Sequence, residues 1–287
     1  MDGLLQYAQV RTKNPDETAR KIQKLIKDGK SKLQVISDFD YTLSRYSLNG
    51  QSCWSTHRVF ADGPLGTTMN SLYQTYYPIE FSAELTVDQK LPHMLRWWGE
   101  AHEAIVAAGL SRTDLQAMVE RAQIHLRDQA SQFLDRLEGA EIPILLFSAG
   151  IADLIDLFLR DRLGRIPPNL TIISNRMIFD PTTEKVVNFS EPIVHTFNKN
   201  ESVLSEAQLE LRDQLSHRPN LLLLGDSLGD SSMSDGVDYS EVILKIGFLN
   251  QNFDQLLPQY LDLYDLVLVD DQTMSVPLKL LNAILGL

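Results

Sequence analysis

VISDFDYTLSRY, residues 35–46, runs a short apolar, β-branched stretch into two carboxylates, Asp38 and Asp40, and then into Thr42 and Ser44. Alternate residues of a strand face the same way, so the two acids share one side and repel each other unless something positive sits between them. Five further apolar runs follow the same plan: IPILLFSAG (142–150), LTIISN (170–175), NLLLLGDS (220–227), EVILKIGF (241–248) and YDLVLV (264–269). Helical patterns separate them. One spans about residues 15–29, with Pro15 in its first turn and Gly29 at its end; IADLIDLFLRDRL follows Gly150, and NQNFDQLLPQYL follows Phe248. Continuous apolar strands alternating with helices predict an α/β fold, a doubly wound parallel sheet covered on both faces. Ligands of such sheets gather at the carboxyl ends of the strands, where DFD, FSAG and GDS point at one crevice.

Residues 46–138 break the alternation with an irregular, Gly- and Ser-rich piece (49–67) and helical patterns around 68–77, 87–107 and 112–138. They predict a mostly helical lid inserted after the first core strand, leaving residues 1–45 and 139–287 as the core. A separate domain on linkers is disfavoured, because neither end carries a Pro/Ser-rich connector.

A chain of 287 residues, 44% hydrophobic, can bury one large core or a core with a satellite. With 38 acids against 26 bases, the net charge of −12 argues against a polynucleotide partner but leaves room for a phosphorylated small molecule. The single cysteine, Cys53, has no internal disulfide partner, and no Cys/His spacing resembles a zinc site. The N-terminal region has no apolar core of a leader peptide, and no run approaches the roughly 18 apolar residues of a membrane span. A soluble, cytoplasmic monomer without a membrane partner is expected.

GDSLGD brings two more carboxylates, Asp226 and Asp230, to a second strand tip. Acids converging in this number need a hard cation, and with a phosphate in prospect Mg²⁺ is the natural one. One carboxylate can then attack while another moves a proton. Ser148 can offer its hydroxyl and neighbouring backbone N–H groups to an anion, or simply cap the next helix. Lys199, in HTFNKNE, can neutralise a phosphate and one acid, or lie on the surface.

In order, spacing and strand context, DFDYT, the SAG after an apolar strand, a later lysine and GDSLGD resemble the four motifs of the haloacid dehalogenase (HAD) superfamily of phosphatases, over about residues 33–270. More narrowly, DFDYTLSRYS, YYPIEFS, LTVDQKLPHMLRWW, FSAGIADLI, HTFNKN, GDSLGD and ILKIGFLN resemble the cytosolic 5′-nucleotidase III family. The chain looks more like the branch that accepts 7-methylguanosine monophosphate than the pyrimidine-specific branch. The resemblance implies a Mg²⁺-dependent 5′-nucleotidase acting on nucleoside monophosphates, preferring 7-methylguanosine monophosphate and also taking CMP. Asp38 would attack phosphorus to give an aspartyl phosphate, and Asp40 would protonate the leaving oxygen and then activate water. Mg²⁺ would sit on the Asp38 carboxylate, the Asp40 carbonyl and Asp226, with Asp230 in support. Ser148, the Ala149 and Gly150 backbone, and Lys199 would hold the phosphoryl oxygens.

Glu80 matches the family's base-reading acid, and a carboxylate suits the cationic, donor-bearing edge of a 7-methylated purine. Trp98 matches the stacking position; Trp97, about 100° round the helix, is assigned to the lid's own packing. His57 is the candidate for the other side of the base, against the alternative of a surface histidine. Two departures from the family are evident: the bulky Tyr41, expected to pack beneath its loop, and SCWSTHRVFADGPLG, which looks shorter and differently composed than the usual lid loop. The alternatives are a pyrimidine 5′-nucleotidase with phosphotransferase activity and a protein that only binds methylated nucleotides.

Overall fold

The computed structural model describes residues 7–82, 84–200, 215–235 and 240–287; Glu201, the end of the HTFNKNE stretch, lies outside them. After the short strand β1 (Val10–Arg11), helix α1 (Pro15–Asp28) starts on its proline with Asp16 and Glu17 in the first turn and Lys27 in the last. Acids at the start and a base at the end suit the helix dipole, and Gly29 ends the helix with a left-handed φ of 73°. The chain then enters β2 (Leu33–Ser37), every residue of which is buried.

Between β2 and the next core strand lie the hairpin β3 (Ser47–Leu48) and β4 (Gln51–Ser52), a 3₁₀ turn His57–Ala61, and helices α2 (Gly66–Glu80), α3 (Val87–Ala107), α4 (Arg112–Arg121) and α5 (Ala130–Gly139). Helices α3 and α4 both begin with reciprocal capping boxes, Thr86 with Gln89 and Ser111 with Asp114. The single helical pattern expected over 112–138 is therefore two helices. Residues 122–128 run extended instead, because their backbone is bonded to the chain after β2: Arg45 N–H to the His125 carbonyl at 2.8 Å and Arg127 N–H to the Leu43 carbonyl at 2.9 Å. Ile124 and Leu126, two residues apart, carry the strand-like signal there. Helix α5, inside the expected lid, packs on the last helix of the core and buries Phe133, Leu134 and Leu137.

The remaining core follows as β5 (Ile144–Ile151), α6 (Ala152–Leu163), β6 (Leu170–Asn175), an unforeseen hairpin of β7 (Met177–Phe179) and β8 (Val186–Phe189), then β9 (Asn220–Gly225), β10 (Val242–Leu249), α7 (Phe253–Leu263), β11 (Leu266–Val269) and α8 (Ser275–Leu285). The main sheet has seven strands in the order β1-β11-β10-β9-β2-β5-β6, parallel except for β1 at the edge. Its two faces are both covered. Val35, Ile144, Leu222 and Ile246 face one side with α1, α5 and α8, while Ile36, Leu145, Leu223 and Val267 face the other with Tyr260 and Tyr264. Each such fully buried aliphatic side chain contributes about 2 kcal/mol through burial.

The chain builds outward from β2 through β5 and β6, then returns to lay β9 on the other side of β2. This reversal makes the carboxyl ends of β2 and β9 the switch point where an α/β sheet opens a crevice.

Candidate active site

Asp38 follows β2 and Asp226 follows β9, so the ladder that pairs Ser37 with Leu224 also sets the two acids side by side. Oxygens of Asp38, Asp226 and Asp230 lie within 4.8 Å of one another. Lys199 is buried between them and donates from Nζ to Asp38 Oδ1 at 2.6 Å and to Asp230 Oδ1 at 2.7 Å. The other oxygen of Asp230 accepts the backbone N–H groups of Asp226 and Ser227 at 3.0 and 2.9 Å. Asp230 is thereby spent on holding its own turn and Lys199. The Asp226 carbonyl accepts the Tyr260 hydroxyl, but its carboxylate accepts no hydrogen bond among the described residues and is left open to a ligand.

Burial pushes Asp38 up to about 7; Lys199 opposes the rise and Asp230 adds to it. Asp226 is raised well above its ordinary value, first by burial, then by Asp230 and Asp38. Burial pulls Lys199 down, but Asp230 and Asp38 outweigh it and hold the ammonium above its ordinary range. Ionised together, three clustered carboxylates would exceed the single ammonium in negative charge, which is why burial and mutual repulsion raise Asp38 and Asp226. This donor set, oxygen only, fits a hard divalent cation.

Asp40 is held from the lid side. Thr56, fully buried, donates its N–H to Asp40 Oδ1 at 2.9 Å and its hydroxyl to Asp40 Oδ2 at 2.7 Å. Burial raises Asp40 to about 6, and the two Thr56 bonds restrain the rise. Gly150 makes room for this contact: a Cβ there would sit 2.3 Å from Thr56 Oγ1 and 2.9 Å from Asp40 Oδ2. Ser148, in β5 where its register with β6 shifts after Phe147, is buried and accepts the Gly150 N–H at 3.0 Å. A second close approach locks the far wall, since a Cβ on Gly229 would lie 2.1 Å from the Thr196 carbonyl. The lysine-bearing stretch therefore rests directly on the GDSLGD turn.

Glu80 ends α2 half-buried and accepts the Thr196 hydroxyl at 2.7 Å. Burial raises its carboxyl, and the Thr196 bond, Lys90 and Lys199 work against the rise. Lys90 caps the helix end by donating to the Glu80 carbonyl at 2.9 Å. Trp98 is only 8% exposed: its indole N–H donates to the Ala149 carbonyl at 2.8 Å, and its ring meets His57 edge-on at 5.6 Å. Ala149 thus turns its carbonyl to the lid, where Asn175 also donates at 2.9 Å. Trp97 stacks on Tyr76 at 5.9 Å, inside the lid. His57 is half-buried against Trp98 with a shielded, unpartnered Nε2, so it is no surface histidine. Burial brings it down to about 4.

The structure brings Asp38, Asp40, Ser148, Lys199, Asp226 and Asp230 into one crevice, with Glu80, Trp98, Ala149 and His57 along its lid side. Thr56, Thr196 and Arg127 were not anticipated. Thr56 lies in SCWSTHRVFADGPLG, the segment that departs from the family's usual lid loop; Thr196 is three residues from Lys199, a nearness that could have flagged it. Arg127 is buried beneath the loop after Asp40, where burial lowers its guanidinium to about 10, still charged at neutral pH. Tyr41 takes a left-handed φ of 63° above it.

The profile of the pyrimidine 5′-nucleotidase (UMPH-1) family matches residues 41–285. A 7-methylguanosine phosphate-specific 5′-nucleotidase A of Xenopus laevis is 38% identical, covering 93% of this chain and 92% of its own length. The Homo sapiens 7-methylguanosine phosphate-specific 5′-nucleotidase is 36% identical, over 98% of this chain and 94% of the relative. The crystal structure of cytosolic 5′-nucleotidase IIIB bound to cytidine superposes with a TM-score of 0.88 at 32% identity, over 98% of this chain and 95% of that one. Phosphoserine phosphatase, at 16% identity and a TM-score of 0.55 over 87% of this chain and 98% of that one, shares the HAD-like fold. On this agreement of profile, relatives and fold, the chain belongs to the pyrimidine 5′-nucleotidase (UMPH-1) family, the cytosolic 5′-nucleotidase III group of phosphoric monoester hydrolases.

Proposed function

We propose that the protein is a Mg²⁺-dependent 5′-nucleotidase that hydrolyses 7-methylguanosine monophosphate and, less selectively, CMP. The observation that carries the reading is the buried bridge from Lys199 to Asp38 and Asp230, with Asp226 open beside it. Asp38, the Asp40 carbonyl and Asp226 would hold Mg²⁺, supported by Asp230. The ion would neutralise charge on the phosphoryl oxygens and let Asp38 stay ionised.

Asp38 attacks phosphorus as the bond to the 5′-oxygen breaks, giving an aspartyl phosphate, and Asp40 gives its proton to the leaving oxygen. Water then loses a proton to Asp40 and attacks the same phosphorus, releasing phosphate and restoring the Asp38 carboxylate. Ser148, the Ala149 and Gly150 backbone and Lys199 steady the transferring group, and such transfer depends mostly on positioning and charge. Glu80, braced by Thr196, reads the base. Trp98 and His57 form the aromatic wall; a base stacked on Trp98 requires its bond to Ala149 to open, because little of the ring is exposed. Residues 46–138 act as the lid, with α5 as its footing on the core.

The pyrimidine reading, with phosphotransfer to a nucleoside, is the second, favoured by the cytidine held by the IIIB relative. A cytoplasmic location is proposed by analogy with a Caenorhabditis elegans relative, 40% identical, described as a cytosolic 5′-nucleotidase 3. No helix among the described residues is long and apolar enough to cross a membrane. A monomer is the proposed state. Phosphate release from a panel of nucleoside monophosphates tests the activity: equal rates on AMP, GMP and 7-methylguanosine monophosphate defeat the specificity, and normal turnover by Asp38→Asn removes it as nucleophile.

A further inference from the structure

Arg127 is 1% exposed and donates to four oxygens, none of them from a carboxylate. Nε reaches the Thr42 carbonyl at 2.7 Å, Nη1 the Asp271 carbonyl, and Nη2 both the Tyr41 carbonyl and Asn250 Oδ1 at 2.8 Å. The ring of Phe248 lies 4.1 Å from its Cζ. These acceptors follow three different strands, β2, β10 and β11, whose ends frame the crevice. Burying a cation costs several kcal/mol, and an apolar side chain fills such a space at least as stably. The charge and the fork therefore serve something other than packing.

That something is the turn after Asp40. Tyr41 is a bulky residue in the left-handed region, a conformation that persists only where its surroundings hold it. Its carbonyl is gripped twice, by Arg127 and by Asn250 Nδ2 at 3.1 Å. Asn250 itself is fixed by Arg127, so one guanidinium sets both donors. We propose that Arg127 is a positioning residue for phosphoryl transfer, clamping the Tyr41–Thr42 turn to the ends of β10 and β11 so that Asp38 and Asp40 stay in register for attack and proton transfer.

The proposal rests on the phosphatase reading of Asp38 and Asp40, which wild-type phosphate release tests separately. Arg127→Lys keeps the charge but presents a compact ammonium that cannot span four acceptors in three directions. It is expected to lower kcat about 100-fold, the scale of a 1 Å misplacement, with KM nearly unchanged and the folded state retained by circular dichroism. Phe133→Leu, which thins the core under α5, gives the loss owed to destabilisation alone. A kcat for Arg127→Lys close to wild type, or a loss no larger than the unfolded fraction explains, overturns the proposal. If the Arg127 variant does not fold, Asn250→Ala decides: it removes one acceptor and one grip on Tyr41, so a kcat drop of about 10-fold at constant KM supports the clamp and an unchanged kcat overturns it.

Discussion

Thr56 grips Asp40 by both carboxylate oxygens, its N–H on Oδ1 at 2.9 Å and its hydroxyl on Oδ2 at 2.7 Å. A residue of the lid segment thereby orients a carboxylate of the core. Thr56→Val removes the hydroxyl bond and leaves the backbone bond, and is expected to cost about 10-fold or more in kcat, part of the 10²–10⁴ that a positioned acid supplies. Thr56→Ser keeps the hydroxyl and should stay near wild type. Steady-state rates for the pair check this; equal rates for Val and Ser remove the role.

Gly150→Ala tests the same contact from the opposite wall. The added methyl would lie 2.3 Å from Thr56 Oγ1 and 3.1 Å from Ser148 Oγ, both buried side chains, the first already committed to Asp40. Turnover should fall at least about 100-fold while the fold survives. Activity within a few-fold of wild type, with an unchanged circular dichroism spectrum, contradicts the geometry.

The raised acids set a pH dependence. With Asp38 near 7 and Asp40 near 6, against about 3.8 unfolded, these two carboxyls bind more protons in the native chain than in the unfolded one between about pH 4 and 7. Their contribution to stability therefore falls as pH rises through that window and levels off above it. His57 and His195, lowered by burial to about 4, and His102, lowered to about 3, act in the opposite direction below about 6.5. The histidine contribution is common to melting with and without Mg²⁺ at one pH and drops out of the difference between them. Mg²⁺ should raise the melting temperature by at least about 2–4 °C more at pH 8 than at pH 5.5, the shift that about 1 kcal/mol gives in a sizeable domain. A gain that is equal or larger at the lower pH rules this account out.

Glu80→Gln keeps an acceptor and loses a charge. The ratio of kcat/KM for 7-methylguanosine monophosphate over GMP is expected to drop about 10–100-fold, the worth of a hydrogen bond to a charged group. Competition assays with the two nucleotides give the ratio directly. A ratio that does not move takes base reading away from Glu80.

The six parallel strands of the main sheet were legible because each is a short apolar run, and in three of them a polar motif follows, which marks a buried strand reaching a crevice. Asp38 and Asp226 could be grouped from the sequence, since acids at strand tips that meet at one crevice demand a counter-charge; Lys199 joined them through the family resemblance, its local sequence fitting a surface lysine equally well. The 122–128 stretch was not legible: its conformation is dictated by backbone bonds to residues 43–45, some eighty positions earlier, so its local pattern blended into the helices on either side. Arg127 was hidden for the same reason. Helical geometry alone could separate Trp97 from Trp98, but not reveal that the indole N–H of Trp98 is already spent on Ala149.

The place of β2 between β5 and β9 has a consequence for the nascent chain. The first acid of the site is made early, at residue 38, yet its neighbour Asp226 and the strand that carries it come nearly two hundred residues later. Until β9 leaves the ribosome and docks, one edge of β2 has no partner and Asp38 lacks its fellow carboxylates Asp226 and Asp230, although Lys199 has already been made. A translation product that stops before residue 220 thus carries Asp38 and Lys199 without Asp226 and Asp230, and the cluster of acids is withheld from it.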